Sequence, residues 1–368
     1  LNIDDSVEFR LEAFGWSPFF RSSFEALGDA SLVPARVSEE HRSGFVVVSA
    51  SGDLCADVAG RLRHAAAGRE ELPAVGDWVA VDARLAESAA TIHHVLPRRG
   101  ALVRKAAGTR TEAQVVAANL DVVFVMTSAD ADFSAARLAR YLTVVWESGA
   151  EPVVLLTKAD LADDADGLVA DAARAAPGAA VHAVSAVDGR GLDALAAHLA
   201  PGRTAALIGS SGVGKSTLAN RLLGEERLAV SSVREHDDTG RHTTTFRQLV
   251  ALPGGALVID TPGMRELGLW DSGGGLDAAF RDVADFAVSC RFRDCRHAAE
   301  PGCAVLAAVG DGSLPRARFE QWQALGRELA FLERKQDVRA MLEERRRRTA
   351  LGKAGRERMR MKRGELSG

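Results

Sequence analysis

Hydrophobic and polar positions divide the chain into stretches of different rhythm. From Val37 to Val95, short apolar runs (Gly44-Phe45-Val46-Val47-Val48 and Asp77-Trp78-Val79-Ala80-Val81) alternate with turn-forming breakers at Ser51-Gly52-Asp53 and Pro73-Ala74-Val75-Gly76. Several short strands at regular spacing over about 60 residues predict a small β-barrel of the OB or SH3-like kind. His93 and His94 fall on one of these strands and read as ordinary pleat residues. Cys55, alone on another, is expected as a small buried hydrophobe. Residues 1–33 read as a helical, aromatic-bearing extension (Trp16, Phe19, Phe20) that packs on a neighbour.

From Leu120 the rhythm changes. The apolar runs Val122–Val125, Val153–Leu156, Val181–Val184, Ala205–Ile208 and Leu257–Ile259 have no polar alternation, as expected of strands buried on both faces. Helix-like stretches at Ser134–Trp146, Leu192–Leu199 and Ser216–Leu223 separate several of them, which predicts an α/β domain with a largely parallel sheet. A Gly-rich break, Asp271-Ser272-Gly273-Gly274-Gly275, precedes a helical, cysteine-bearing block. A Glu/Arg-rich helical stretch from about Arg316 to Met361 follows. The expected segmentation is an extension (1–33), an OB-like barrel (34–105), the α/β domain (106–273), the cysteine block (274–335) and a basic helical tail (336–368).

Composition narrows the class. The 368 residues allow two or three domains at about 150 residues each. With 47% hydrophobic and 26% charged residues the chain reads as globular. No apolar run approaches the roughly 18 residues of a membrane helix. Asp4, Asp5, Glu8 and Glu12 stand where a signal peptide has a basic start and an apolar run, so export is not expected. Four cysteines in so long a chain are no disulfide framework, and a cytoplasmic location is expected. The net charge of −4 conceals an asymmetry: between Arg345 and Arg363, ten basic residues face Glu357 alone, a local +9 against −13 for the rest. An acidic body with a basic tail suggests a polyanionic partner, although a solvated helix would have the same composition.

Gly209-Ser210-Ser211-Gly212-Val213-Gly214-Lys215-Ser216 matches the P-loop pattern, between a predicted strand and a helix that continues with Thr217. Its glycines let backbone N–H groups converge on phosphates at a helix N-terminus, Lys215 neutralises β/γ oxygens, and the Ser216 hydroxyl ligates Mg²⁺. Thr157-Lys158-Ala159-Asp160, ending a buried strand, resembles the guanine motif Asn-Lys-x-Asp. Asp160 would accept from guanine N1–H and the exocyclic amine, a donor pair adenine lacks, while the Lys158 stem crosses the base. Thr157 stands where the motif has Asn, which predicts a weaker tie to the phosphate loop. Ser185-Ala186, ending the next strand, resembles the turn whose N–H meets guanine O6.

Asp260-Thr261-Pro262-Gly263 follows another buried strand. Asp260 would hold Mg²⁺ through water and the Gly263 N–H would meet the γ-phosphate. Between cradle and Asp260 lies Gly240-Arg241-His242-Thr243-Thr244-Thr245, a switch-like segment in which Thr244 would complete Mg²⁺ coordination. In Ras-like GTPases the cradle comes first; here the guanine motif and Ser-Ala precede it and Asp260 comes last. All five motifs can still meet, each at the carboxyl end of a strand in one sheet, which makes the domain a circularly permuted GTPase. Met264 occupies the place of the water-orienting Gln and cannot serve it, so intrinsic turnover should be slow.

Cys290, Cys295, His297 and Cys303, spaced C-x4-C-x-H-x5-C, suit one closed, structural tetrahedral Zn²⁺. Unrelated cytosolic thiols are the plainer alternative. Arg291, Phe292, Arg293 and Arg296 interleave with the ligands in a basic-aromatic texture that suits nucleic acid.

The OB-like block, the permuted GTPase with Gly-Arg-His-Thr-Thr-Thr and Asp-Thr-Pro-Gly, and the Cys/Cys/His/Cys knot together resemble the RsgA (YjeQ) family of small ribosomal subunit biogenesis GTPases. The likeness covers roughly residues 35–335. It implies GTP/GDP binding, contact of barrel and zinc block with rRNA, and hydrolysis stimulated by the small ribosomal subunit and coupled to release. His242, beside the threonine run, is the catalytic candidate by its place, as the resemblance also suggests; Lys215 and Thr244 would assist. The chain is expected to act as a monomer without membrane association. A non-hydrolysing RNA-binding scaffold that retains nucleotide, and an ATPase or nucleotide kinase, are the competing readings.

Overall fold

A computed structural model describes residues 10–41, 43–105, 113–129, 133–224, 247–260 and 274–336; at 105, 260, 335 and 336 the backbone alone is described. The chain begins with a helical turn at 10–13 and helix α1 (Pro18–Glu25). Strands β1 (Val33–Glu40), β2 (Phe45–Ser49), β3 (Gly52–Val58), β4 (Trp78–Arg84) and β5 (Ala89–Val95) come next, with a short helix α2 (Gly60–Ala65) between β3 and β4. They close in the order β1-β2-β3-β5-β4-β1, all antiparallel except β3 with β5. This closed five-stranded Greek-key ring is the OB arrangement, which decides between the two barrel types the sequence allowed.

Inward positions on alternate residues fill the barrel: Val37, Val47, Leu54, Ala56, Val79, Val81 and Ile92 are all buried. That alternation corrects the expectation for Cys55. On β3 the inward places belong to Leu54 and Ala56, and Cys55 is exposed. His93 and His94 face outward. The extension packs against the barrel at Trp78, with Trp16 and Phe20 at ring-centroid distances of 4.6 and 5.8 Å. Phe19 remains 43% exposed.

A hairpin of β6 (Ala101–Lys105) and β7 (Ala113–Ala118) leads into the α/β domain. There β8 (Val122–Ser128), α3 (Ala135–Glu147), β9 (Glu151–Thr157), α4 (Ala165–Ala175), β10 (Ala180–Ala183), β11 (Thr204–Gly209), α5 (Lys215–Leu223), β12 (Arg247–Ala251) and β13 (Leu257–Asp260) follow. The stretch expected as a helix at Leu192–Leu199 is a tighter 3₁₀ segment, Asp193–Ala197. The sheet order is β10-β9-β8-β11-β13-β12, parallel but for β12.

Successive residues of each parallel strand face opposite cores, which explains the unbroken apolar runs. Val123 and Val125 pack towards α3, while Val122, Phe124 and Met126 join the side that carries α5. The C-terminal block comprises α6 (Gly275–Ala279), α7 (Arg281–Ala287), α8 (Ala304–Asp311) and α9 (Arg316–Gln336). It docks on α3 and α4. Glu147 accepts from the Gly275 N–H at 2.8 Å, and Arg318 pairs with Asp282 while donating to the Ala175 carbonyl at 3.2 Å. The basic tail beyond 336 lies outside the described residues.

Candidate nucleotide site and metal centre

From β8 the chain steps outward to β9 and β10; from β11, on the other side of β8, it steps towards β13. Where the order reverses, strand ends leave a crevice, the usual ligand position in an open α/β sheet. Ser128, Thr157, Ala183, Gly209 and Asp260 are the last residues of the five parallel strands, so the phosphate-type and guanine-type motifs open on the same edge.

The loop after β11 has the shape its glycines permit. A Cβ on Gly209 would lie 2.4 Å from the Met126 carbonyl oxygen, and Gly214 has φ +97° immediately before α5. The Val213 side chain is buried and anchors the loop from beneath. The Lys215 ammonium arches over it and donates to the carbonyls of Gly209 and Ser210 at 2.8 and 2.6 Å. Ser216 and Thr217 lie half-buried on the first turn of α5, with Ser211 and Gly212 exposed at the loop crest. N–H groups at a helix start and one ammonium make a receptor for an oxyanion.

Thr157 does make a tie to the phosphate-type loop. Its buried hydroxyl donates to the Val213 carbonyl at 2.7 Å, with the Thr127 carbonyl at 3.3 Å as a longer neighbour. A hydroxyl on β9 therefore joins the guanine-type motif to the phosphate-type loop. Lys158 then takes a left-handed turn at φ +58°, which starts the 3₁₀ turn Ala159–Leu161 and brings Asp160 to the surface. Ala159 N–H donates to the Val184 carbonyl at 3.2 Å, and the Arg190 guanidinium to the Ala159 carbonyl at 3.3 Å. Ser185 is fully buried; its hydroxyl accepts from Val187 and Asp188 N–H, each at 3.3 Å, and shapes the turn at Ala186. Arg190 as a brace was not apparent in the sequence, because its partner belongs to another strand end.

The structure thus gathers Thr157–Asp160, Ser185–Ala186 and Gly209–Thr217, and ends β13 at Asp260 beside β11. His242, Thr244 and Gly263 lie outside the described residues, as does the Asp260 side chain.

The donor atoms of Cys290, Cys295, His297 and Cys303 lie within 4.8 Å of one another. His297 Nδ1 is 3.3 Å from Cys303 Sγ and 3.6 Å from Cys290 Sγ, and Cys290 and Cys303 sulfurs are 3.9 Å apart. Tetrahedral zinc, with bonds of about 2.3 Å to sulfur and 2.0–2.1 Å to nitrogen, requires edges of roughly 3.5–3.8 Å, so the donor set fits Zn²⁺. Cys303 caps α8, where its sulfur accepts from the Leu306 N–H at 3.4 Å. For Cys290, burial works against ionisation, but the backbone N–H groups of Val305 and Ala304 together with the Cys295 and Cys303 thiols outweigh it and lower the pKa. Burial first, then the neighbouring sulfurs, push Cys295 up to about 11. A bound dication offsets the cost of placing thiolates side by side.

Glu300 was not singled out from the sequence. Its carboxylate accepts from the N–H groups of Arg296, Ala298 and Ala299 at 3.1, 2.8 and 3.1 Å, folding the loop between His297 and Cys303. These backbone donors, that of Ala298 foremost, hold its pKa down at about 2. Between Cys290 and Cys295, Phe292 is 42% exposed with the Arg291 guanidinium 5.5 Å from its ring centre.

Residues 95–270 match the model of the RsgA GTPase family. A small ribosomal subunit biogenesis GTPase RsgA of Opitutus terrae is 48% identical over 340 residues, covering 89% of this chain and 92% of its own. The Streptomyces coelicolor protein of the same name is 46% identical over 364 residues, covering 97% and 96%. Among solved structures, YjeQ from Thermotoga maritima shares the fold at a TM-score of 0.62 and 24% identity, covering 81% of this chain and 99% of that one. YloQ, described as a circularly permuted GTPase, follows at 0.59 and 24%, covering 82% and 96%. Sequence identity at this level along nearly all of both chains, on the fold of the permuted GTPases, shows that the chain belongs to the RsgA GTPase family.

Proposed function

We propose that the chain hydrolyses GTP to GDP and phosphate on the small ribosomal subunit late in its maturation, and that hydrolysis releases it. The observation that carries this reading is the Thr157 hydrogen bond to Val213, which ties a guanine-type motif to a phosphate-type loop at one edge of the sheet. The names of the two relatives support the choice of partner.

In the bound state Asp160 accepts from the guanine N1–H and amine, the Lys158 stem covers the base, and the Ser185-Ala186 turn meets O6. The loop Gly209–Gly214 and Lys215 hold the β- and γ-phosphates, with Thr217 on the same helix turn. Ser216, Thr244 and Asp260 are the residues that would hold Mg²⁺, which supplies charge neutralisation at the phosphates. Phosphoryl transfer to water needs positioning and charge more than covalent chemistry. Met264 has no group to orient water, so His242 takes that role when the subunit is engaged. Zn²⁺ on Cys290, Cys295, His297 and Cys303 fixes the C-terminal fold, and Arg291, Phe292, Arg293 and Arg296 face rRNA together with the barrel. The functional modules are the barrel (34–105), the GTPase domain (106–273), the zinc block (274–335) and the basic tail (336–368). The chain works as a cytoplasmic monomer; among the described residues no helix is long and apolar enough to cross a membrane.

The test is phosphate release with mature small subunits, with large subunits and with neither, each against competing GTP or ATP. Acceleration by small subunits alone, competed by GTP but not ATP, is expected. No phosphate release in any of the three would leave a nucleotide-retaining RNA scaffold, equal non-zero rates would remove the subunit's stimulation, and competition by ATP would leave an ATPase.

A further inference from the structure

The barrel and the α/β sheet share one continuous ladder, and β12 is the shared strand. On one side β12 pairs with β13, Gln248 opposite Asp260 and Leu249 opposite Ile259. On the other it pairs with the last two residues of β1, Gln248 opposite Glu39 and Arg247 opposite Glu40. Gln248 therefore stands in one cross-strand row between the barrel and the strand end that carries Asp260. Side chains reinforce the row. Arg247 Nη1 donates to Glu40 Oε2 at 2.7 Å, and Gln248 Nε2 to Glu39 Oε1 at 2.7 Å. With Arg247 12% and Glu40 29% exposed, this ion pair is more sheltered from salt than a surface pair.

The seam is short where its surroundings are not. β1 is held inside the barrel by β2 and β4, and β13 inside the α/β sheet by β11, through longer registers backed by buried apolar side chains. Two residue pairs and two side-chain bonds connect the bodies at this point. Backbone hydrogen bonds fix strand spacing, so a displacement of the barrel at β1 reaches β13 through β12, alongside the direct contact of Gly76 with Ile259.

We infer that Glu40 and Arg247, backed by Glu39 and Gln248, are positioning residues that carry the docking of the barrel on the subunit to the strand end at Asp260. The inference rests on the reading of Asp260 and of subunit stimulation given above. These residues lie outside the nucleotide-type motifs and the cysteine cluster; they act through the sheet. Their removal costs stimulated turnover and leaves basal turnover alone.

The test uses the full zinc-loaded chain as Glu40→Ala, Arg247→Ala and the double reversal Glu40→Arg with Arg247→Glu. Basal turnover and affinity for a fluorescent GDP analogue are expected within about two-fold of wild type. The turnover number at saturating small subunits should fall about ten-fold in each single variant, and the double reversal should recover most of it. Three results overturn the inference: stimulated turnover within two-fold in both single variants, equal loss of basal and stimulated turnover, or a double reversal no better than the singles. Should Arg247→Ala not fold, Gln248→Glu, at an exposed position, sets a like charge against Glu39 and must show the same split. Failure of the underlying reading looks different: the wild type itself is then not accelerated by small subunits, and the inference falls with it before any variant is made.

Discussion

At Thr157 one hydroxyl replaces an amide and keeps the connection. Its partner, the Val213 carbonyl, belongs to a residue with a buried side chain and loses its donor if the hydroxyl is removed. A buried acceptor left unpaired costs about 1–3 kcal/mol, felt here as a loosened phosphate loop. Thr157→Val, which keeps the shape, is expected to weaken GDP binding about ten-fold, and Thr157→Ser to restore it; titration with a fluorescent GDP analogue decides. The motif predicts a tie between Thr157 and the phosphate loop but not its atoms, since the partners are 56 positions apart in the chain. His242 is a different case: the chemistry of its neighbours nominates it, and it lies outside the described residues. His242→Ala should lower subunit-stimulated turnover about 100-fold with unchanged GDP affinity; unchanged turnover removes it from the mechanism. Cys55 marks the limit of residue-level reading. In Asp53-Leu54-Cys55-Ala56, two phases of alternation place either Cys55 or its neighbours inside, and only the barrel chooses.

Among elements, the zinc loop and the parallel strands were the most legible, because each is specified within a short window. Ligand spacing encodes the first and unbroken apolar runs the second. What spacing does not encode is how the loop between His297 and Cys303 keeps its shape, which Glu300 does by collecting backbone donors. Groups that orient metal ligands typically contribute 10–100-fold in affinity. Glu300→Ala is expected to weaken zinc binding by about that factor in competition with a chromophoric chelator. The pH dependence has a definite sign. The carboxyl falls from an ordinary 4.5 to about 2 on folding, so its stabilisation is complete above about 4.5 and is lost as the pH drops towards 2. At neutral pH the loop has all of it. An acid titration of zinc release should therefore begin at higher pH in Glu300→Ala than in wild type.

For the whole molecule, the order of motifs was readable and the joints between bodies were not. Arg318, which reaches from α9 to Asp282 and the Ala175 carbonyl, and the β1–β12 seam both join residues from remote parts of the chain. Charge distribution belongs to this scale as well. The stretch from Arg345 to Arg363 carries a local +9 beside a body of −13, and contact with RNA phosphates would release counterions. Deletion of residues 345–368 is expected to weaken subunit binding and to flatten its dependence on salt; if both stay as they were, the tail takes no part. The permuted order also has a consequence for biosynthesis. β8, β9 and β10 leave the ribosome before β11, the strand that flanks β8 in the finished sheet. Until β11 arrives, one side of β8 is an open edge of the sort that recruits stray strands, so the central pairing of the sheet is completed only after the guanine-type motif has been made.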